Sequence, residues 1–177
     1  MDRYTRVAIA LHWIIALLVI ANIGLAGLTE DFSREARVPY MDLHKAIGIS
    51  VLVLTLARIA WRIGHKPPPL PLSMRPWERS LARITHFAFY LLLIGLPLSG
   101  WLWMSTYPAP FAYFGLFDVP LWPVAGQEAL GETLHEGHEI LGKAMLALVV
   151  LHILGALKHL VIDKDGSFQR MLPRGRD

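Results

Sequence analysis

The chain is 177 residues long, enough for one compact unit and too short for two ordinary domains. Hydrophobic residues make up 54% and charged residues 18%, against roughly 25% charged in soluble domains, which excludes disorder and a highly charged nucleic-acid binder. The absence of cysteine excludes disulfides, thiolate metal sites, a cysteine nucleophile and covalent c-type haem, and the net charge of +3 leaves its distribution to decide the partner.

The first apolar run spans 7–28 and holds His12 and Asn22 as its only strongly polar members. Arg3 and Arg6 precede it. The run exceeds a signal-peptide h-region of about 7–15 residues, so a retained helix is expected. The second predicted helix, 40–64, carries His44, Lys45, Arg58 and Arg62 and leaves through the linker KPPPLPL, whose prolines favour an extended, stiff chain. The third, 82–104, has His86 near its start and Pro97 and Gly100 inside, where a kink is expected. Trp101, Trp103, Tyr107, Phe111, Tyr113, Phe114 and Trp122 crowd its end and the following loop, in the manner of an interfacial aromatic belt. The fourth, 133–162, holds His138, Lys143, His152, Lys158 and His159.

Each run offers about 20 mostly apolar residues, the length that crosses a ~30 Å hydrocarbon core. None carries the charged stripe of a soluble amphipathic helix. The expected architecture is an all-α membrane protein, a four-transmembrane-helix bundle in a single domain over 1–177. The N-terminus, the second-to-third connection with its helix ends, and the C-terminal end hold Arg3, Arg6, Arg58, Arg62, Lys66, Arg75, Arg79, Arg83, Lys158, Lys164, Arg170, Arg174 and Arg176. The opposite side holds Arg34, Arg37, Lys45 and Lys143. Thirteen against four is a positive-inside bias that puts both termini in the cytoplasm. The basic excess therefore addresses membrane lipids, with no role for nucleic acid.

Eight histidines occur in this small chain: His12, His44, His65, His86, His135, His138, His152 and His159. Ionisable groups within a bilayer are costly and functional by default. His138 and His152 are 14 residues apart, about 21 Å of axial rise, and lie within about 40° of one helix face. His135 falls about 100° from the His152 direction, which favours His138. His12, entering from the cytoplasm, matches the depth of His152. His44, on a helix returning from outside, matches His138. Facing imidazoles on separate helices at two depths are what two b-type haems need, and bundles build cofactor sites from inward side chains in this way. His86, at cytoplasmic depth, rivals His12 as the inner ligand. Gly48, Gly142 and Gly155 follow His44, His138 and His152 by three or four residues and clear space for a flat macrocycle or for close helix packing. Arg58 lies on the His44 face at cytoplasmic depth and is the candidate partner for propionates of the inner haem; Lys143 is the weaker counterpart at the outer one. Met145, midway between His138 and His152, reads as packing. His159, about 10 Å beyond His152, is the candidate contact for a propionate or a quinone headgroup.

The segments RVAIALHW, LHKAIGI, LARITHFAFYLLLIGLPLSGW, FGLFDVP, HEILG and LHILGALKHLVIDKDGSFQRMLP, in this order over nearly the whole chain, resemble the bacterial cytochrome b561 family, related to the cytochrome b subunits of nickel–iron hydrogenases. The resemblance implies a four-helix protein of the bacterial inner membrane with two non-covalent, bis-histidine haem b groups. It assigns the ligands to His12 and His152 for the cytoplasmic haem and to His44 and His138 for the periplasmic haem, and demotes His86. It also implies electron transfer between an outer donor and ubiquinone or another quinone, with superoxide-to-quinone oxidoreductase activity associated with the family.

Two other readings compete with such an electron-transfer cytochrome. One is a haem-bearing membrane anchor subunit serving a partner oxidoreductase or a periplasmic carrier protein. The other is a histidine-lined metal transporter, disfavoured by the paired depths and the scarcity of intramembrane carboxylates. A soluble enzyme finds no support, since the chain shows no phosphate-cradling loop, nucleophile elbow or carboxylate pair.

Overall fold

A computed structural model describes residues 3–71, 73–107 and 110–172. Leu72 of the linker and Arg174 and Arg176 of the C-terminal basic group lie outside the described residues. Four long helices carry the chain: α1 (Arg6–Leu28), α2 (Arg34–Gly64), α3 (Pro76–Met104) and α4 (Glu128–Lys158). All four are long and apolar enough to cross a membrane, and the chain is a multi-pass four-helix membrane protein.

Helices α2, α3 and α4 start ahead of their apolar runs, at 34, 76 and 128 rather than 40, 82 and 133. Hydropathy marks only the bilayer-crossing part, whereas a helix runs on until its free N–H groups find a cap. The Ser33 hydroxyl accepts from the Ala36 N–H at the start of α2. Pro76 fills the first position of α3, where no N–H is needed, and the Glu78 carboxylate accepts from the Arg75 N–H at 2.8 Å. Helix α3 runs unbroken through Pro97.

Between α3 and α4 a short hairpin pairs β1 (Ala112–Tyr113) with β2 (Phe117–Asp118). Phe114 and Gly115 both have left-handed φ values, 50° and 74°, and the Leu116 N–H donates to the Tyr113 carbonyl. This is the primed turn whose twist suits a hairpin. The Tyr113 and Ser50 hydroxyls hydrogen-bond at 3.0 Å, fastening the hairpin to α2. Trp101 donates from Nε1 to the Pro120 carbonyl and packs edge-on to Trp122. Much of the expected aromatic belt is thus a cap folded over this hairpin end of the bundle.

At the other end, α4 passes into a π-helical turn (His159–Asp163), a left-handed Lys164 and a 3-10 turn (Phe168–Met171). Trp13 Nε1 donates to the Met171 carbonyl at 2.8 Å, and the Arg170 guanidinium donates to the Pro69 carbonyl. The beginning of the chain, the linker and the C-terminal segment therefore meet at one terminal end.

The core is a mid-bundle plug of Ile15 and Val19 (α1), Ile47 and Val51 (α2), Leu93 (α3) and Met145 (α4). Large apolar side chains elsewhere, such as Leu17, Phe87, Ile140 and Ile162, are exposed. Helices apolar on all sides present such surface to lipid.

Close approach constrains glycine at one structural position. A Cβ on Gly131 would lie 2.7 Å from the Thr106 Oγ1, itself held by donation to the Trp103 carbonyl. Gly131→Ala is expected to destabilise the protein by about 1–3 kcal/mol through overpacking, seen as a lower thermal midpoint in detergent. Gly27→Ala, where the added Cβ meets nothing within 4 Å, should leave the midpoint unchanged or raise it slightly; an equal fall in both would contradict this account.

Candidate functional site

The bundle brings histidines from different helices together at two levels. At the hairpin end, His44 of α2 and His138 of α4 stand with ring centres 6.2 Å apart and planes at 76°. At the terminal end, His12 of α1 and His152 of α4 repeat that geometry, again 6.2 Å and 76°. The mid-bundle plug contains Met145, seven residues from each α4 histidine and 3% exposed.

Local chemistry at the hairpin-end pair sets the tautomers. His44 Nδ1 lies 3.1 Å from the Asn22 carbonyl. A carbonyl only accepts, so the hydrogen is on Nδ1 and Nε2 keeps its lone pair. His138 Nδ1 lies 3.0 Å from the Ser99 hydroxyl. That hydroxyl donates to the Leu96 carbonyl and therefore accepts from the imidazole, which again frees Nε2. Anchoring one ring nitrogen while the other stays basic is how proteins orient a metal-ligating histidine.

The pairs suit a metal-centred planar group. Imidazole nitrogen–metal bonds of about 2 Å, plus about 1 Å from each nitrogen to its ring centre, place two rings on one metal about 6 Å apart. A Cβ at Gly48, Gly142 or Gly155 would meet nothing within 4 Å, so open space adjoins His44, His138 and His152 in the chain. Gly100 lies close against His138. A Cβ there would stand 3.0 Å from His138 Cε1 and 3.3 Å from Nδ1, so any larger residue would require the ring to shift by a few tenths of an ångström.

The remaining candidates take distinct places. His135 stacks on Trp103 at 4.3 Å and pairs with Glu139 at 3.4 Å, and the same Trp103 ring lies 6.1 Å from His138. His86 of α3 comes within 5.8 Å of His152, with planes at 70°, and so shares the terminal-end cluster. Phe89 packs edge-on to His152 at 5.2 Å. Arg58 is half-buried, donating from Nη1 to the Ala8 carbonyl at 3.1 Å and from Nε to the Tyr90 hydroxyl at 3.4 Å. No carboxylate pairs with it among the described residues, and Ala8 is one helical turn from His12. Lys143 does not fulfil the role expected of it: its side chain is 80% exposed and directed to Glu139. Its position on the helix, one residue past the interior-facing Gly142, rotates it outward by about 100°. His65 stacks flat on Trp61 at 3.9 Å.

His159 sits in the π-helical turn. Its Nδ1 lies 2.8 Å from Asp165 and 3.0 Å from Asp163. Lys158 bridges Asp163 and Glu78, tying the end of α4 to the first turn of α3. Burial pushes the Asp165 carboxyl up, but hydrogen bonds from the Ser167 backbone and the neighbouring His159 outweigh it and hold the group below the usual carboxylate range.

Tyr90, Ser99 and Gly100 lie within the segment LARITHFAFYLLLIGLPLSGW and Asn22 within the first apolar run, but neither charge nor spacing marked their roles; each acts through contact with another helix.

A model of the family described as prokaryotic cytochrome b561 matches residues 3–174. Cytochrome b561 homolog 2 of Escherichia coli K12 is 36% identical over 174 residues, covering 97% of this chain and 92% of the relative. The probable superoxide oxidase CybB of Yersinia pestis is 32% identical over 180 residues, covering 98% of each. Cytochrome b562 of Cereibacter sphaeroides is 28% identical, covering 96% of this chain and 94% of the relative. A cytochrome b of this kind carries haem b.

Ser99→Ala removes the hydroxyl that accepts from His138. Loss of such an orienting contact is expected to weaken haem retention roughly tenfold, read as a lower haem-to-protein ratio after extensive detergent dilution. Ser80→Ala, whose hydroxyl contacts only the Pro76 carbonyl, serves as the control and should retain haem fully.

Proposed function

The chain belongs to the prokaryotic cytochrome b561 family, and from that premise we propose that it is a di-haem b electron-transfer protein of the bacterial inner membrane, moving electrons between an outer donor and the quinone pool. The observation that carries this reading is the repetition of one interhelical histidine geometry at two levels of the bundle. His12 and His152 hold one haem, and His44 and His138 the other. Haem b, when bound, supplies a one-electron ferric–ferrous couple. The terminal end, with its cationic excess, faces the cytoplasm.

The chain's own groups have separable tasks. Asn22 and Ser99 fix the orientation of the hairpin-end imidazoles. Met145 and its core neighbours keep water from the space between the levels. Arg58, a guanidinium with no carboxylate partner among the described residues, neutralises haem carboxylates at the cytoplasmic level. Reducing a quinone to a quinol takes up two electrons and two protons. His159 delivers a proton to a quinone oxygen, and Asp165 orients its ring.

The donor divides the reading. Superoxide appears in the name of the Yersinia relative. A partner oxidoreductase or periplasmic carrier protein, with this chain as its haem-bearing anchor, is favoured by charge at the hairpin end. Glu30, Asp31, Glu35, Asp42, Asp118, Glu128, Glu132, Glu136 and Glu139 lie there against Arg34, Arg37, Lys45 and Lys143. That balance repels a small anion and attracts a basic protein surface.

A reduced-minus-oxidised visible spectrum with a haem assay tests the centre of the proposal: two b haems per chain are expected. His12→Ala and His138→Ala should each lose one haem, and spectrally different ones, while His86→Ala keeps both. A single haem in the unaltered protein, or loss on His86→Ala but not on His12→Ala, would overturn the assignment.

Quinone reduction by His159→Ala, with both haems spectrally intact, should fall by about 10²-fold or more, the usual share of a positioned acid–base group. Unchanged turnover removes His159 from the reaction.

A further inference from the structure

Outside the histidine clusters, a pocket at the terminal end opens between the start of α1, the end of α2 and α3. Tyr4, Arg58, Trp61, Arg62, His65 and Tyr90 line it. Three of these, Arg58, Trp61 and Arg62, belong to α2 at positions i, i+3 and i+4, the spacing that places side chains along one helix face, and His65 follows just past its end. The stripe reaches the end of α2, a helix long and apolar enough to cross a membrane.

Its electrostatics are one-sided. No carboxylate lines the pocket, and neither Arg58 nor Arg62 has an acidic partner among the described residues. The Arg58 guanidinium forms the inner wall, turned by the Ala8 carbonyl and the Tyr90 hydroxyl. Arg62 lies exposed at the rim, its guanidinium 5.8 Å from the centre of the Tyr90 ring. Trp61 is pinned by donation from Nε1 to the Thr5 hydroxyl at 2.9 Å, and its face supports the exposed His65. The walls are therefore aromatic and ordered, and the cations at the rim are reached from outside the bundle. The chain neighbour of Arg62, Ile63, is 80% exposed, leaving apolar surface beside the cations.

We propose that the rim of this pocket binds the phosphate headgroup of an anionic phospholipid from the surrounding leaflet, with Arg62 supplying the charge and Trp61, Tyr90 and Tyr4 the walls, while Arg58 behind them stays with the inner haem. Basic pockets between transmembrane helices on the cytoplasmic side take anionic headgroups for this reason. A free inorganic phosphate offers the same charge without acyl chains. The lipid is favoured because the rim lies at the end of a membrane-spanning helix beside bare apolar surface.

The test uses the full-length, haem-loaded protein in nanodiscs of equimolar phosphatidylglycerol and phosphatidylcholine, released for native mass spectrometry. One phosphatidylglycerol per chain should be retained in preference to phosphatidylcholine. Arg62→Gln should lower that retention about fivefold, the worth of one surface cation near anionic lipid, with the haem spectrum and haem-to-protein ratio unchanged. Arg34→Gln, the same charge change at the hairpin end, should leave retention intact. Equal retention of both lipids, undiminished retention in Arg62→Gln, or displacement by millimolar inorganic phosphate would overturn the proposal. So would loss of haem together with the lipid, which would give the stripe to haem carboxylates. A chain with fewer than two haems that still selects phosphatidylglycerol would defeat the di-haem reading and leave the lipid site standing.

Discussion

Everything in this structure depends on two imidazoles from different helices being held 6.2 Å apart, with their planes steeply crossed, inside the bundle. A polar ring in hydrocarbon is costly unless its hydrogen-bonding groups find partners. The hairpin-end histidines meet that demand with one nitrogen each, through the Asn22 carbonyl and the Ser99 hydroxyl, and keep the second nitrogen for a ligand. The bundle around them follows from this arrangement. Helices α1, α2 and α4 contribute the paired rings, and α4 contributes to both pairs. Helix α3 supplies support: Ser99 and Gly100 fit His138, Phe89 packs on His152, and Tyr90 steadies Arg58.

The two ends of the bundle differ in chemistry. At the hairpin end a cap of aromatic rings and a primed turn covers the helix termini, and carboxylates dominate the surface. At the terminal end the chain is laced by ion pairs and long-range hydrogen bonds: Lys158 to Glu78 and Asp163, His159 to Asp165, Trp13 to Met171. The left-handed Lys164 and the ionised Asp165 turn the chain back after α4, so the proposed proton donor sits on a tied π-helical turn.

What the sequence disclosed and what it hid divide along a physical line. Hydropathy and helical periodicity are properties of one segment, so the four spans and the shared face of His138 and His152 were legible. Depth matching extended this to His12 and His44, because a histidine's distance from its helix end is also a one-segment quantity. Contacts between helices were not legible. Ser99 and Gly100 sat in plain view within LPLSGW, yet Gly100 reads with Pro97 as a kink and Ser99 is not singled out. Lys143 was misplaced because depth was known and azimuth was not applied. The helix starts were set too late because caps such as Ser33 and Pro76 lie in polar stretches that hydropathy ignores. His86 marks the opposite difficulty: distance leaves it beside His152, and only the chemistry of ligand loss separates it from His12.

The separation of the two levels is a torsional constraint as much as a linear one. Helix α4 carries one member of each pair, 14 residues apart, which is about 21 Å of rise and within about 40° of four whole turns. One residue more or fewer between them would turn His152 by about 100° relative to His138 and move it only about 1.5 Å along the axis. The angular error is therefore the destructive one, since it would aim the ring at lipid. The partners His12 and His44 stand on separate helices and can adjust independently. The register of α4 is thus fixed at both levels by a single rigid element, and the packed plug around Met145, halfway between them on the same face, fills the space that this spacing leaves.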